Sequence, residues 1–406
     1  MGNLSKYFYE MTRDKTCRDM LHPGYTCAQA AVIYVKQGTW GAMRHYLPTV
    51  VTALLFRMNQ WDNPDVWMQA MLQYGRCILA GLPMTAGSFH FFCGFYNLLG
   101  RFSAPFFVFV PSFLGGCTCM FLPRSIIRTQ GIGLFNTYVE FLIRRMRGKT
   151  AEALRVSRLI GTIAFSLMSA AIMPGLQYLD LKNSFWFAHT YDTTKNNNPT
   201  PIEAKASSCP HHPDHSCFDH VLKESKRSFY FGCAIWSIKN ILPRVLLAFT
   251  SPVTFVRTLL SQKDYGLIAF FSCYKAFYES MHCLLIRKTD LTPLARAALA
   301  GLVAGIAYRM YPSYVLFTYP ISQLVEIYWK VYMKSDLEKP RLVEWIDRLP
   351  MAHLVYCFAL GMMYHLRVVY PYHTNRICHK VMNIGTTGRS EMLARGYAEI
   401  MLGLRD

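Results

Sequence analysis

Charged residues are scarce in this sequence, and acidic residues are the scarcest. Asp, Glu, Lys and Arg make up 17% of the 406 residues, and only 24 of them are acidic. Soluble domains usually contain about 25% charged residues. Hydrophobic residues reach 52% and aromatic residues 15%. This balance indicates a chain that exposes much of its surface to lipid instead of water.

The apolar segments lack the alternation of β-barrel strands, because they are continuous runs. Three long runs contain no Asp, Glu, Lys or Arg. They are Phe102–Pro123, Leu159–Leu179 and Leu349–Leu366. Each is close to the roughly 20 residues that a helix needs to cross a bilayer. We therefore predict an all-α fold, a polytopic transmembrane helix bundle of about ten spans. The weaker candidate spans are Tyr46–Phe56, Trp67–Pro83, Ser88–Leu99, Phe229–Phe249, Leu267–Ile286, Leu294–Tyr308 and Tyr314–Trp329.

Enzymatic motifs are missing as well. The sequence contains no Gly-x-Ser-x-Gly, no phosphate-binding glycine loop that ends in Lys-Ser/Thr, and no His-Glu-x-x-His. We predict no catalytic residue and no cofactor. If the chain is instead a membrane-embedded lipid enzyme, His353 and His365 are the first residues to suspect.

Basic residues exceed acidic ones by 43 to 24, a net charge of +19. They flank the apolar runs, as in the stretch from Arg124 to Arg158, and resemble no nucleic-acid-binding module. This placement predicts contact with lipid headgroups. The expected partners are membrane lipids, and a second copy of the chain or other membrane proteins; nucleic acid is not expected.

Ordered matches relate the two halves of the chain. His22-Pro23-Gly24-Tyr25-Thr26-Cys27 recurs as His212-Pro213-Asp214-His215-Ser216-Cys217, so that both fit His-Pro-x-x-[Ser/Thr]-Cys. Further matches follow at offsets between 179 and 195 residues. Such a series predicts two tandem repeats, as in many transporters. The further pairs are Leu47-Pro48 with Leu242-Pro243, Gly87 and Phe91-Phe92 with Gly266 and Phe270-Phe271, Gly116 and Pro123 with Gly305 and Pro312, and Val139-Glu140 with Val325-Glu326.

A polar stretch separates the two halves. Residues 182–226 contain the run Asn196 to Pro201, which is typical of a linker, and then a Cys/His-rich loop. The predicted division is a Cys-containing segment (1–28), a first membrane repeat (29–181), this linker (182–226), a second membrane repeat (227–371) and a C-terminal tail (372–406).

The Cys/His-rich loop contains soft metal ligands. Its candidates are Cys209, His212, His215 and Cys217. The Cys-x(2–4)-Cys spacing of zinc sites is absent, so a capped loop or redox-labile thiols is favoured over a metal. The first copy has Cys17, His22 and Cys27 without further histidines, and only the second is expected to bind metal on its own. Cysteines inside apolar runs, Cys93 among them, are interpreted as small core residues.

Four charged residues fall inside predicted spans. Lys275 and Glu279 lie four positions apart, on one helix face, and Glu140 and Glu326 are matched in the two halves. A charge at the bilayer centre costs at least about 2.5–3.5 kcal/mol, so these side chains are expected to face the bundle interior. They form either a polar path or headgroup site, or a structural ion pair with Arg124 or Arg309 as partners of the matched glutamates.

Small residues recur every fourth position at Ala297, Gly301 and Gly305. This spacing places them on one helix face and lets a neighbouring backbone approach closely. The stripe predicts helix packing, either inside one bundle or between subunits.

Three features together resemble the transmembrane protein 135 family, which is also described as a peroxisomal membrane protein. They are Cys209 with His212-Pro213 and Cys217, the run Leu299 to Ile306, and Leu324-Val325-Glu326. Gly38 to Gly41 is similar to the start of its cysteine-rich N-terminal domain. The resemblance implies a peroxisomal or mitochondrial membrane location, with roles in lipid handling and in organelle shape and division. The second half is also similar to mitochondrial import translocase channel subunits, which implies a protein-import channel component as the alternative.

Overall fold

The fold is all-helical, as the sequence predicts. The computed structural model describes residues 2–401 except 56, 58–59, 104–106, 147, 149–151, 155–156, 180–208, 210–211, 213–215, 242–250 and 261–264. Within these residues every regular element is a helix, and the only pairing of β type is an isolated bridge between Cys209 and His212. Continuous apolar runs therefore form helices here, whose backbone groups are paired within each segment.

In the described part of the chain, seven helices precede residue 146. Helix α4 shows how its boundary is encoded: Asn63 caps it by accepting the N–H of Asp65, and Pro64 occupies the first turn, where it needs no hydrogen bond. The helices are α1 Gly2–Thr12, α2 Cys17–Met20, α3 Cys27–Leu55, α4 Pro64–Leu82, α5 Ser88–Leu99, α6 Phe109–Gly116 and α7 Arg124–Arg145, with a π-helical segment Pro83–Gly87 and a 3-10 segment Cys117–Phe121.

Four of the following helices begin in the same way, with Ser157, Ser216, Thr292 and Ser313 as N-caps. They are α8 Arg158–Tyr178, α9 Cys217–Asn240, α10 Pro252–Leu260, α11 Tyr265–Lys288, α12 Pro293–Ala304, a 3-10 segment Gly305–Met310, and α13 Tyr314–Lys334. The last are α14 Arg341–Arg348, α15 Met351–Val369, α16 Arg376–Gly385 and α17 Arg389–Met401.

Among the described residues, three helices are long and apolar enough to cross a membrane: Pro64–Leu99, Arg158–Tyr178 and Met351–Val369. Two of the three strongest sequence candidates are among them. The third, Phe102–Pro123, is divided, because its apolar part forms only the shorter Phe109–Phe121. Conversely, two weaker candidates join into the continuous Pro64–Leu99. Gly87 and Phe92 thus lie late in that helix, whereas Gly266 and Phe271 begin α11, so this sequence match is out of register.

The chain divides into two compact units. Unit 1 contains Met1–Arg145 and Pro340–Asp406, and unit 2 contains Met146–Lys339. The predicted segments 29–181 and 227–371 instead follow chain order. The two divisions differ over α8 and α15, because each of these helices packs with helices from the other half of the sequence.

Within unit 1, α3 packs on α4, and α5 packs on α6. Helix α15 then lies against α6 and α7. Within unit 2, α9 packs on α11, and α11 packs on α12. Helix α8 lies against α12 and α13. The same order of contacts therefore occurs in each unit.

The small-residue stripe explains how closely α8 approaches in unit 2. A Cβ atom at Gly301 would lie 2.8 Å from the carbonyl oxygen of Ser169, and one at Gly305 would overlap the Cα of Ser166. Ala297 is fully buried. The stripe is thus in contact with a helix of its own unit. In unit 1, a Cβ at Gly116 would lie 3.2 Å from the Cα of Cys357 in α15.

We expect Gly305→Ala to destabilise the protein, because the added methyl group meets backbone that cannot move aside. The cost of such overpacking is about 1–3 kcal/mol. The matched control is Gly133→Ala in α7, where a Cβ meets nothing within 4 Å; there alanine should stabilise the helix by up to about 1 kcal/mol. The thermal midpoint of the detergent-solubilised chain checks this, and equal midpoints for the two variants would contradict the packing.

Candidate functional sites

The repeated motif His-Pro-x-x-[Ser/Thr]-Cys forms the entry to a long helix in each unit. Thr26 precedes α3 and accepts the N–H of Gln29 at 3.3 Å. Ser216 precedes α9 and accepts the N–H of Asp219 at 3.1 Å. The hydroxyl residue of the motif is therefore the N-cap, and the cysteine is the first helical residue. The motif spacing follows from this geometry.

In unit 2 the motif contributes to a cluster of four sulfur and nitrogen atoms. The ligand-type atoms of Cys209, His212, Cys217 and Cys283 lie within 4.8 Å of one another. His212 Nε2 is 3.3 Å from Cys283 Sγ. A tight turn places the first two, since the backbone N–H of His212 donates to the carbonyl of Cys209 at 3.1 Å. Three of the four predicted candidates thus meet, while His215 lies outside the described residues.

Unit 1 contains a corresponding cluster. Cys17 Sγ is 3.5 Å from Cys27 Sγ, which is 3.6 Å from His22 Nε2. The sulfur of Cys93 lies within 4.8 Å of Cys17 and His22. The sequence predicts Cys93 to be a core residue and predicts no independent metal site in this copy. The structure instead adds the Cys93 thiol from α5, and the set has the same composition of three cysteines and one histidine.

A signal for the fourth member was present in the sequence. Cys93 follows Cys27 by 66 residues, and Cys283 follows Cys217 by 66 residues. The repeated motif itself does not include this cysteine, because the motif ends at Cys27 and Cys93 lies in a later helix, α5. Burial removes water from the Cys17 thiol and disfavours its charged form. Together with the hydrogen bond to Cys27, burial raises the pKa of Cys17 to about 11.

A second polar site lies close by in unit 2. Lys275 Nζ is 2.7 Å from Glu279 Oε1, one turn along α11. Both residues are buried, at 2% and 0% exposure. The structure therefore pairs these two predicted residues in the interior of the unit.

Two further members come from α9. Glu224 Oε2 lies 3.7 Å from Lys275 Nζ, and His220 Nε2 lies 3.4 Å from Glu279 Oε2. The His220 ring stacks on His212 with 4.5 Å between centroids, so this charge cluster contacts the cysteine-histidine set. The sequence does not reveal that His220 and Glu224 join Lys275 and Glu279, because the two pairs belong to different helices, α9 and α11. His220 and Glu224 are four residues apart, which places them on one face of α9.

The matching positions of unit 1 contain no charge. Counted from the cysteines of each set, the four charge-cluster residues correspond to uncharged ones, and the ring of Tyr34 packs against Phe89 at 5.0 Å between centroids. The same helix pair therefore contains uncharged side chains in one unit, two of them aromatic, and ionisable groups in the other. The corresponding residues are Ala30 for His220, Tyr34 for Glu224, Thr85 for Lys275 and Phe89 for Glu279.

The two matched glutamates occupy different environments. Glu140 is buried, pairs with Arg144 at 2.6 Å and accepts the Asn375 amide at 2.6 Å. Glu326 pairs with Lys330 at 2.6 Å, and both side chains are partly exposed. The partner of Glu140 is thus one turn away on its own helix and not the predicted Arg124 or Arg309. Glu140 is 17 residues beyond Pro123 and Glu326 only 14 beyond Pro312, so their registers differ.

Comparison with known proteins does not assign this chain to a family. No family model matches the sequence, and no solved structure matches the fold. Its function is therefore inferred from the described residues: a buried charge cluster in one unit, two cysteine-histidine sets, and three helices suited to a membrane.

Proposed function

We propose that this chain is a multi-pass membrane protein of peroxisomes or mitochondria that supports lipid transport or metabolism and organelle dynamics. Its charge cluster forms a polar site for a lipid headgroup, and the protein performs no catalysis. Three long apolar helices support the membrane part of this proposal. The charge cluster supports the rest, for the reason that follows.

The proposed architecture is two repeats that exchange their last helices. Five elements correspond in order: α3 with α9, the continuous α4–α5 with α11, α6 with α12, α7 with α13, and α15 with α8. Each pair makes matching contacts within its unit. Gly116 meets α15 at Cys357 and Gly305 meets α8 at Ser166, so even the close helix contacts correspond. Five elements in each half correspond to about ten spans.

The charge cluster carries the functional proposal. Burying Lys275, Glu279 and His220 costs desolvation energy that mutual attraction rarely returns in full. Unit 1 fills the same positions with Ala30, Tyr34, Thr85 and Phe89, so the repeated fold does not require the charges. Ionisable groups inside a membrane protein commonly mark a substrate or ion path. A zwitterionic or anionic headgroup has the charges that this mixture of one ammonium, two carboxylates and an imidazole can bind.

The import-channel alternative follows from the similarity of the second half to import translocase subunits and from the glycine stripe, one use of which would be an interface between subunits. Gly301 and Gly305 contact α8 inside unit 2, so the stripe does not provide that surface. The observations favour the lipid proposal.

We predict that removing one charge will cost more than removing the cluster. Lys275→Met alone removes the ammonium partner of the buried Glu279 and the partly buried Glu224, and it should destabilise the protein by about 3–5 kcal/mol. The fourfold variant His220→Ala, Glu224→Tyr, Lys275→Thr, Glu279→Phe copies unit 1 and should recover most of that stability. This fourfold variant should nevertheless fail to move a fluorescent phospholipid between vesicles. It should also fail to restore the lipid content of cells that lack the protein. Thermal midpoints and transfer rates measure both effects.

A matched control is Lys330→Met, which removes one ion-pair partner of Glu326 on a partly exposed face and should cost only about 0.5 kcal/mol. Full lipid activity in the stable fourfold variant would reject the headgroup site and leave a purely structural cluster. Wild-type stability in Lys275→Met would mean that water reaches these groups.

A separate prediction concerns topology. Five spans in each half would place the entries to α3 and α9 on opposite membrane faces, as in inverted repeats. An epitope at the N-terminus and one inserted between Asn197 and Asn198 should therefore differ in protease accessibility in intact organelles. The same accessibility for both would contradict five spans, and would indicate that the short α6 and α12 enter the membrane without crossing it.

A further inference from the structure

We propose that each unit contains a zinc site of three cysteines and one histidine. The sites are Cys17, His22, Cys27 and Cys93 in unit 1, and Cys209, His212, Cys217 and Cys283 in unit 2. This inference goes beyond the lipid function and does not depend on it.

The first argument is geometric. Zn–S bonds of about 2.3 Å and Zn–N bonds of about 2.0 Å in a tetrahedron separate two sulfur ligands by about 3.8 Å, and sulfur from nitrogen by about 3.5 Å. The sulfur atoms of Cys17 and Cys27 are 3.5 Å apart, and Cys27 Sγ is 3.6 Å from His22 Nε2. In unit 2, His212 Nε2 is 3.3 Å from Cys283 Sγ. These three distances are thus close to the edges of such a tetrahedron, and the remaining ligand, Cys93 Sγ, lies within 4.8 Å of Cys17 and His22.

The surroundings are those of metal ligands. The second ring nitrogen of His22, Nδ1, lies 2.9 Å from the carbonyl oxygen of Tyr25. Metal-binding histidines usually donate their other N–H in this way, which leaves Nε2 free to bind the ion. Cys27 and Cys217 are the first residues of the long helices α3 and α9, so a regular element holds each of these ligands in place. Arg287 Nη1 also approaches Cys217 Sγ at 3.9 Å.

The donor set selects the ion. Three thiolates and one imidazole in a tetrahedron are typical of structural zinc. In unit 2 all four ligand atoms lie within 4.8 Å of one another. This spacing suits a single ion, because a two-iron cluster would divide its four ligands between two separated metal atoms. Four ligands from the protein also close the coordination shell, which is the arrangement of a structural site and not a catalytic one.

The last argument is that the ligand set recurs in the two units. The same ligand set occurs in both units, with 66 residues between the helical cysteines in each. The adjoining charge cluster, by contrast, differs completely between the units. A feature of the fold that both units retain while their interiors differ is best explained by a shared structural need. Each ion would connect the segment before the first long helix to the following long helix, through Cys93 or Cys283.

Metal analysis of the full chain, purified in detergent without chelators, tests the proposal. We expect about two zinc ions per chain. Cys93→Ser and Cys283→Ser should each lower this to about one ion per chain, and the double variant should contain none. Cys77→Ser in α4 and Cys233→Ser in α9 change cysteines that belong to neither set, and both variants should keep the full zinc content.

Zinc-edge X-ray absorption on the unaltered chain covers the case in which a variant does not fold. It should show three sulfur neighbours at about 2.3 Å and one nitrogen at about 2.0 Å. Metal-free chain that gains no zinc on addition of Zn²⁺ would overturn the proposal. So would a Cys17–Cys27 disulfide in the isolated protein, or visible absorbance with stoichiometric iron. None of these outcomes bears on lipid transfer, so the two proposals fail separately.

Discussion

The close approach of one helix to a glycine face determines how this chain is divided. Gly305 admits α8 at Ser166, and Gly116 admits α15 at Cys357. A side chain at Gly305 would overlap backbone, and dispersion forces act only at such short range. These contacts draw α8 and α15 away from the helices that precede them in sequence. The two units, and the sites inside them, depend on that pairing.

Each unit then uses its first long helix pair for a different purpose. Tyr34 and Phe89 fill this interior in unit 1, whereas Glu224, Lys275 and Glu279 occupy it in unit 2. Aromatic packing gains stability by excluding water, and a buried ion cluster usually does not gain as much. The difference separates the part of the molecule that maintains the fold from the part that we associate with lipid binding.

The cysteines show the opposite pattern, because both units retain them. Cys27 and Cys217 begin their helices after a hydroxyl N-cap, while Cys93 and Cys283 face them from the next long helix. Small buried cysteines are ordinary in apolar cores, but in unit 1 the second ring nitrogen of His22 lies near the carbonyl oxygen of Tyr25, which is a feature of metal ligands. Zinc ions at these places would stabilise the entry to each unit.

The sequence by itself determined the helical class, the apolar character of Arg158–Tyr178 and Met351–Val369, and the pairing of Lys275 with Glu279. Each depends on local composition or on a spacing of four residues, which a helix translates directly into position. Only the tertiary structure decided that His220 and Glu224 join the charge cluster, that Cys93 and Cys283 complete the cysteine-histidine sets, and that α8 and α15 pack with the opposite half of the chain. These contacts join residues far apart in sequence, and they form because small side chains let particular helix faces meet. No periodicity along a single segment contains that information.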